Sequence, residues 1–135
     1  MANIKKINHV AIVVEDIDSA LEFWGDQLGL KLDHLEDVPS QGSRIAFLPI
    51  GEGEVELVQP TDPETGLAKY LEKRGEGMHH LCIEVDDIES MLRDLKEKGV
   101  RLINAEPLDL PGRRMAFIHP KSANGVLLEL YEIIE

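Results

Sequence analysis

One internal repeat constrains this chain more than any other feature. The segment Ile7–Leu21 recurs as Met78–Leu92, and at a constant offset of 71 positions the His, Ile, Val, Asp, Ile, Ser and Leu residues match without a gap. A repeat at a fixed period marks a duplicated supersecondary unit. Each copy begins its apolar strand with a histidine, His9 or His80. The repeat therefore predicts two modules related by a pseudo-twofold axis, with two histidines that converge on one point.

Each module is predicted to have the order β-α-β-β-β. In the first strand, alternate residues form an apolar Val/Ile face that is expected to pack on the helix of the module. Asp16 and Asp18 are N-cap candidates for that helix, which carries Trp24 and Leu28 and stops at Gly29. The other predicted elements are strands Asn8–Val14, Leu30–Leu35, Arg44–Pro49 and Gly53–Val58, loop Glu36–Gly42, helix Leu67–Lys73, a strand from His80 to Val85, a helix opened by Asp87 and stopped by Gly99, strand Val100–Asn104, loop Glu106–Gly112, and strands Arg114–His119 and Val126–Tyr131.

The predicted fold class is α+β. The chain length of 135 residues suits one domain, so residues 1–135 are interpreted as a single domain, with module one at about 4–60 and module two at about 77–133. The eight predicted strands would form a curved, mixed sheet around a metal site.

Composition excludes several classes of function. The formal net charge of -12 argues against nucleic-acid binding, which needs a basic surface, and against anionic membranes. Cys82 is the one cysteine, so the chain cannot form an intramolecular disulfide. There is no signal-peptide pattern and no apolar run of 18 residues. We therefore predict a cytoplasmic protein.

Four residues form the candidate metal site: His9, Glu56, His80 and Glu129. Each histidine opens the first strand of its module, and each glutamate lies in the last strand, 73 positions apart. All four point away from the apolar face of their strand. Two imidazoles and two carboxylates suit a divalent Zn, Co, Mn, Ni or Fe ion, and a buried carboxylate is costly unless it is paired or binds a metal.

Taken singly, a strand histidine is more often a core or surface residue than a ligand, and Glu56 alone would more often face solvent. The occurrence of two equivalent His/Glu pairs favours the metal site. Cys82 is interpreted as structural, because the equivalent position in module one holds Ala11. Glu54 and Glu84 are interpreted as solvated. His79, whose equivalent is Asn8, is expected to be structural or to support a ligand.

The repeat and the ligand set resemble the vicinal-oxygen-chelate superfamily, which includes glyoxalases, bleomycin-resistance proteins and dioxygenases. Within it, the chain resembles the methylmalonyl-CoA epimerases over essentially its whole length. The segments that carry the resemblance are Ile7–Ile12, Glu56–Val58, Lys73–His80, His119–Ser122 and Gly125–Leu130.

The resemblance implies a mechanism. A metal on the four ligands would chelate the thioester and carboxylate oxygens of methylmalonyl-CoA and stabilise the enolate that forms when the proton between the carbonyls leaves. Epimerisation needs acid/base groups on both faces of the enolate. One is assigned to Glu129, and the other to a loop glutamate whose position is Ser40 here. Glu36 or Asp37 would take over that role, or Ser40 would hold a water that carries the proton, or the activity differs.

The resemblance also implies an acyl-CoA partner and a homodimer. Local cations would meet the CoA phosphates on this acidic chain, and Arg44, Arg113 and Lys121 are the candidates. The loop Leu108–Arg114 lacks the glycine-rich stretch common in the epimerases.

Rival functions share part of this site. A glyoxalase-I-like lactoylglutathione lyase would use the same metal and the same enolate chemistry. A non-catalytic small-molecule-binding member is favoured by Ser40 and disfavoured by the complete ligand set. An extradiol dioxygenase is disfavoured because its iron has three protein ligands.

Overall fold

The computed structural model of the protein describes residues 2–135. Its strands are β1 (Ile4–Val13), β2 (His34–Val38), β3 (Ser43–Ile50), β4 (Gly53–Pro60), β5 (Gly77–Val85), β6 (Leu108–Leu110), β7 (Arg113–Ile118) and β8 (Leu128–Ile133). Its α-helices are α1 (Ile17–Leu21), α2 (Gly66–Arg74) and α3 (Ile88–Glu97). A π-helical segment, Glu22–Gln27, continues α1, and short 3-10 turns span Pro39–Gln41 and Pro120–Ser122.

The first compact unit, Val10–His79, contains most of module one. Its strands have the order β2-β3-β4-β1, and β3 is antiparallel to both of its neighbours. The Asp16 side chain caps α1 by accepting a hydrogen bond from the Ser19 backbone N–H, as predicted. The core of this unit forms where α1 covers the apolar sheet face, with Val14, Ile17, Ala46, Leu48 and Leu57 buried together.

The second compact unit combines the chain up to His9 with His80–Glu135. Its strands have the order β1-β5-β8-β7-β6, so β1 takes part in both units. Strands β5 and β8 are parallel, whereas β7 is antiparallel to β6 and β8. Asp87 caps α3, and the helix buries Ile88 and Leu92 against Val85, Ala116, Ile118 and Leu130.

The predicted α+β class with a mixed eight-stranded sheet is confirmed. Within residues 2–135, no helix combines the length and the apolar character needed to cross a bilayer.

One predicted strand begins too early and another is wrong. Strand β2 begins at His34 rather than Leu30, because the chain leaves the π-helical segment through the Leu30 N–H to Trp24 C=O bond and then stays irregular. Leu28, at the end of the predicted helix, is 54% exposed. The segment Val100–Asn104 contributes a single bridge, between Leu102 and Ile118, and no strand.

The reason for the second error lies in the contacts of β7. The N–H groups of Ile103 and Asn104 both donate to the Phe117 carbonyl, which no regular ladder allows, and the Asn104 side chain accepts from the Phe117 N–H. The strand that pairs with β7 is instead β6, inside the predicted loop, which turns back at Gly112 with φ +76°.

Gly42, at the end of the turn after Ser40, offers a test of the fold. It has φ +61°, and an added Cβ would lie 2.6 Å from Thr65 Cγ2 and 3.0 Å from Asp62 Cβ. Gly51 has a similar φ of +56° but open space around it. A left-handed backbone costs an L-residue about 1 to 2 kcal/mol. We expect Gly51→Ala to lower the free energy of unfolding by that amount and Gly42→Ala to lower it further, as measured by urea denaturation. Equal losses would contradict the contact with Thr65.

Candidate metal centre

Three of the predicted ligands lie on adjacent strands. His9 is on β1, His80 on β5 and Glu129 on β8, and these strands are consecutive in the sheet. The parallel register pairs Cys82 with Glu129, so the glutamate lies one pleat beyond His80 and on the same face. His9 and Glu129 are 1% and 4% exposed. The duplicated strands thus bring two imidazoles and a carboxylate to one buried point.

The donor atoms of these residues form a nearly equilateral triangle. His9 Nε2 lies 3.2 Å from His80 Nε2 and 3.1 Å from Glu129 Oε1, and His80 Nε2 lies 2.9 Å from Glu129 Oε1. Ligands about 2.1 Å from one ion are about 3.0 Å apart at right angles and about 3.4 Å apart in a tetrahedron. The three sides are short enough for all three atoms to bind one ion.

Glu129 Oε1 supports this interpretation. It is buried and accepts no well-directed hydrogen bond, although two imidazole nitrogens lie within 3.1 Å. Buried carboxylate oxygens are costly without a partner. A cation bound at this point would neutralise the buried carboxylate and give its Oε1 a partner. The residues present therefore fit a divalent ion.

Cys82 lies closer to this centre than the sequence suggested. Its thiol belongs to a group of donors with His9 and Glu129 in which all ligand atoms lie within 4.8 Å of one another. The His9, His80 and Glu129 triangle is tighter, with sides of 2.9 to 3.2 Å. The position of Cys82, two residues after His80 on one strand face, was the available signal.

Charge also converges on Glu129. Burial raises the pKa of its carboxyl, but the close approach of the His80 and His9 imidazoles favours the charged form, outweighs burial and lowers that pKa to about 2 from an ordinary 4.5. The group is therefore an ionised carboxylate at neutral pH.

This depressed pKa makes the stability of the metal-free protein depend on pH. The contribution of Glu129 is present above pH 4.5 and is lost as the pH falls toward 2, because the unfolded carboxyl takes up its proton first. We expect wild type to lose on the order of 2 kcal/mol more unfolding free energy than Glu129→Gln between pH 6 and pH 2.5. Urea denaturation in chelator measures the difference. Equal losses in the two proteins would contradict the pairing with the imidazoles.

Aromatic rings hold the two imidazoles in place. The Tyr131 ring packs edge-on against His9, with centroids 5.0 Å apart, and Phe117 does the same to His80 at 5.3 Å. Phe117 and Glu129 are cross-strand partners on β7 and β8. These contacts restrict the rotamers of both rings, so the donor triangle is preorganised.

Asn8 and Glu84 are supporting residues that the sequence reasoning missed. Glu84 was predicted to be solvated, and this is wrong, since it is 5% exposed. Its Oε1 accepts a hydrogen bond of 2.9 Å from Asn8 Nδ2, and Asn8 Oδ1 lies 2.8 Å from His9 Nδ1. The signal was available: Glu84 shares a strand face with His80. His79 instead packs edge-on against Tyr70, a structural role.

Glu56 belongs to the Val10–His79 unit and is 2% exposed on β4. The register β2-β3-β4 aligns His34, Phe47 and Glu56 in one row, and Glu36, Ile45 and Val58 in the next row of the same face. Asp37 lies on the opposite face, with the Arg44 guanidinium 3.9 Å away. Glu36 thus shares a sheet face with Glu56, whereas Asp37 does not.

The remaining predicted site residues differ in exposure. Ser40 is exposed on the 3-10 turn Pro39–Gln41, Lys121 is exposed on the turn Pro120–Ser122, and Arg44 is half-buried. Arg113 is buried, donates from Nη1 to the Pro111 carbonyl at 2.9 Å and lies over the Tyr131 ring. Arg113 is therefore part of the interior beside the metal centre rather than a surface cation.

Comparison with known proteins agrees with this geometry. The family model described as Glyoxalase/Bleomycin resistance protein/Dioxygenase superfamily matches residues 8–117. The chain belongs to this superfamily. Its predicted membership is thereby confirmed.

Several members of the superfamily resemble the chain over nearly its full length. The mitochondrial methylmalonyl-CoA epimerase of Homo sapiens is 37% identical, over 95% of this chain and 74% of that protein. An ethylmalonyl-CoA/methylmalonyl-CoA epimerase of Cereibacter sphaeroides is 35% identical, over 96% and 99%. A methylmalonyl-CoA epimerase solved with methylmalonyl-CoA and NH4+ has a TM-score of 0.91 and 34% identity, over 97% and 96%. A probable lactoylglutathione lyase of Synechocystis is more distant, at 28% identity over 92% of each chain.

Proposed function

We propose that this chain is a metal-dependent epimerase of methylmalonyl-CoA or of a closely related acyl-CoA. The observation that carries the proposal is the buried donor triangle of His9, His80 and Glu129, found in a chain whose relatives at 35% to 37% identity are methylmalonyl-CoA epimerases. The relative that is named for both ethylmalonyl-CoA and methylmalonyl-CoA leaves the length of the acyl side chain open.

The proposed ligand set has four members. His9, His80 and Glu129 meet at the buried triangle, and Glu56 is the fourth, supported by its burial and by its equivalence to Glu129 in the repeated modules. Imidazole and carboxylate donors suit Co, Zn, Mn, Ni or Fe, and an ion held by these four residues would bind and polarise the oxygens of the substrate.

The chain's own residues would carry the proton transfers. When bound, the divalent ion supplies Lewis-acid stabilisation of the negative charge that develops on the thioester oxygen as the α-proton leaves. Glu129, an ionised carboxylate, would accept the proton on one face of the substrate. Tyr131 and Phe117 hold the two imidazoles, and the buried surroundings exclude water. Inversion then requires a proton donor on the other face.

Glu36 is the proposed second acid/base group. It is half-buried on β2 and lies on the same sheet face as Glu56. Asp37 lies on the opposite face beside Arg44, and Ser40 is an exposed hydroxyl, which is a poor base without an activator. A carboxylate moved four positions upstream would thus take the role that the epimerase resemblance gives to the position of Ser40.

Lys121 and Arg44 are the proposed contacts for the CoA phosphates, because both keep part of their cationic side chain in solvent. Arg113, which is buried beside Tyr131, is proposed to contact the acyl portion of the substrate rather than the phosphates. The homodimer and the cytoplasmic location stay predictions from sequence.

A direct assay separates the epimerase from its nearest rival. Protein loaded with Co²⁺ is mixed with one diastereomer of methylmalonyl-CoA, and loss of optical activity is followed. The same sample is given the hemithioacetal of methylglyoxal and glutathione, and thioester absorbance is followed. We expect rapid loss of optical activity and no lactoylglutathione. Lactoylglutathione formation alone would identify a lyase, and binding of the CoA ester without turnover would identify a binding protein.

A further inference from the structure

We infer that Glu84 and Asn8 act as positioning residues that fix the tautomer of His9 and thereby set the metal affinity of the centre. The inference rests on the proposed metal site but requires no particular substrate. It depends on three side chains of one compact unit, Glu84, Asn8 and His9, which form a continuous hydrogen-bonded chain.

The direction of each hydrogen bond follows from the chemistry of the groups. The Glu84 carboxylate only accepts, so the Asn8 group 2.9 Å from its Oε1 must be the NH₂ end of the amide. The carbonyl end of Asn8 then faces His9 Nδ1 at 2.8 Å, and a carbonyl also only accepts. His9 Nδ1 must therefore carry the proton, and in the neutral ring Nε2 carries the lone pair.

That lone pair is directed at the donor triangle. His9 Nε2 is the atom that lies 3.1 Å from Glu129 Oε1 and 3.2 Å from His80 Nε2. In the other tautomer an N–H would occupy this position, and a cation could bind only after the ring had moved its proton. A fixed Nδ1–H tautomer removes that penalty and makes the ring a better donor.

The burial of Glu84 supports a purpose beyond packing. Its side chain is 7% exposed, and its Oε2 lies 3.5 Å from the ammonium of Lys5, whose side chain is 55% exposed. A buried carboxylate is costly unless it is hydrogen-bonded and paired. In module one the same strand-face register holds Val13, an apolar residue, 71 positions earlier. The carboxylate is thus a feature of module two alone, on strand β5, where it meets Asn8 of strand β1.

The test uses two substitutions at one position. Glu84→Met keeps the length of the side chain but removes the acceptor, so the Asn8 amide is no longer held in its orientation. Glu84→Gln presents an amide oxygen to Asn8 Nδ2 and preserves the series of hydrogen bonds that leads through Asn8 to His9. The first readout is the ¹⁵N chemical shifts of the His9 ring in metal-free protein at pH 8. The second is the Co²⁺ dissociation constant, measured by competition with a chromophoric chelator.

We expect wild type and Glu84→Gln to show the Nδ1–H tautomer and to bind Co²⁺ within about threefold of each other, and Glu84→Met to show a mixture of tautomers and bind about 10 to 100-fold more weakly. Asn8→Leu is expected to match Glu84→Met and replaces it if that variant does not fold. Lys5→Met is the control: it removes the ion-pair partner of Glu84 but neither hydrogen bond of the Glu84, Asn8 and His9 series, so it should leave the tautomer unchanged.

An Nε2–H tautomer in wild type would overturn the inference, as would a Glu84→Met protein with wild-type tautomer and affinity. Failure of the epimerase assay affects neither readout. If wild type holds the Nδ1–H tautomer but binds no Co²⁺, the metal centre itself is wrong, and the claim about affinity falls with it.

Discussion

Replacing His80 with alanine is expected to abolish both metal binding and epimerisation. The substitution removes one corner of the donor triangle and leaves two of its three ligands, His9 and Glu129. We expect Co²⁺ affinity to fall by more than about 100-fold, beyond the loss typical of a supporting residue. The rate of epimerisation is expected to fall by at least about 10³-fold, because stabilisation of the developing negative charge is lost. Chelator competition and loss of optical activity measure the two effects.

His79→Ala is the matched control. His79 is the neighbouring residue on β5, and its ring packs against Tyr70 rather than joining the triangle. The control should keep its metal and lose at most a few-fold in rate. A His80→Ala protein that binds Co²⁺ as tightly as the control would show that the triangle is not the metal centre.

The second large effect concerns Glu36. Glu36→Gln removes a carboxylate from the sheet face that carries Glu56 and changes neither charge pairing nor volume on the opposite face. Loss of one acid/base group typically costs about 10² to 10⁴-fold, so we expect epimerisation to fall within that range. Exchange of the α-proton of one diastereomer should persist, with retained configuration, because Glu129 still works on one face. Optical activity and proton NMR in deuterated water separate the two outcomes.

Two neighbouring substitutions serve as controls. Asp37→Asn changes a carboxylate on the opposite face, and Ser40→Ala removes the exposed hydroxyl. Both should epimerise within a few-fold of wild type. If Ser40→Ala instead loses epimerisation while Glu36→Gln keeps it, the second proton travels through a water held by Ser40.

The features that could be predicted from the sequence are those that occur in both modules of the repeat. His9 and His80 occupy equivalent strand positions, so their convergence follows from symmetry alone, and Glu129 meets them because β8 lies parallel to β5. Strand β6 could not be predicted in this way. Val100–Asn104 has the apolar composition of a strand, but the N–H groups of Ile103 and Asn104 both donate to the Phe117 carbonyl, so no regular ladder forms. Only tertiary contacts decide that β6 is the segment that pairs with β7.

The supporting residues show a different limit. Glu84 looks solvated in sequence, because an acidic residue near the end of a strand usually is. The carboxylate is stable in the interior because Asn8 donates a hydrogen bond to it and the Lys5 ammonium lies beside it, and these contacts form only in the folded structure. The same holds for Arg113, which reads as a surface cation and is buried against Tyr131.

The central claim is that a divalent ion on His9, His80 and Glu129 lets this chain remove the α-proton of an acyl-CoA. The most direct measurement is deuterium incorporation at C2 of methylmalonyl-CoA in deuterated water, followed by proton NMR with Co²⁺-loaded protein and with protein held in chelator. We predict rapid exchange with racemisation in the loaded sample and none above background in the other. No exchange by protein that has been shown to hold Co²⁺ would contradict it.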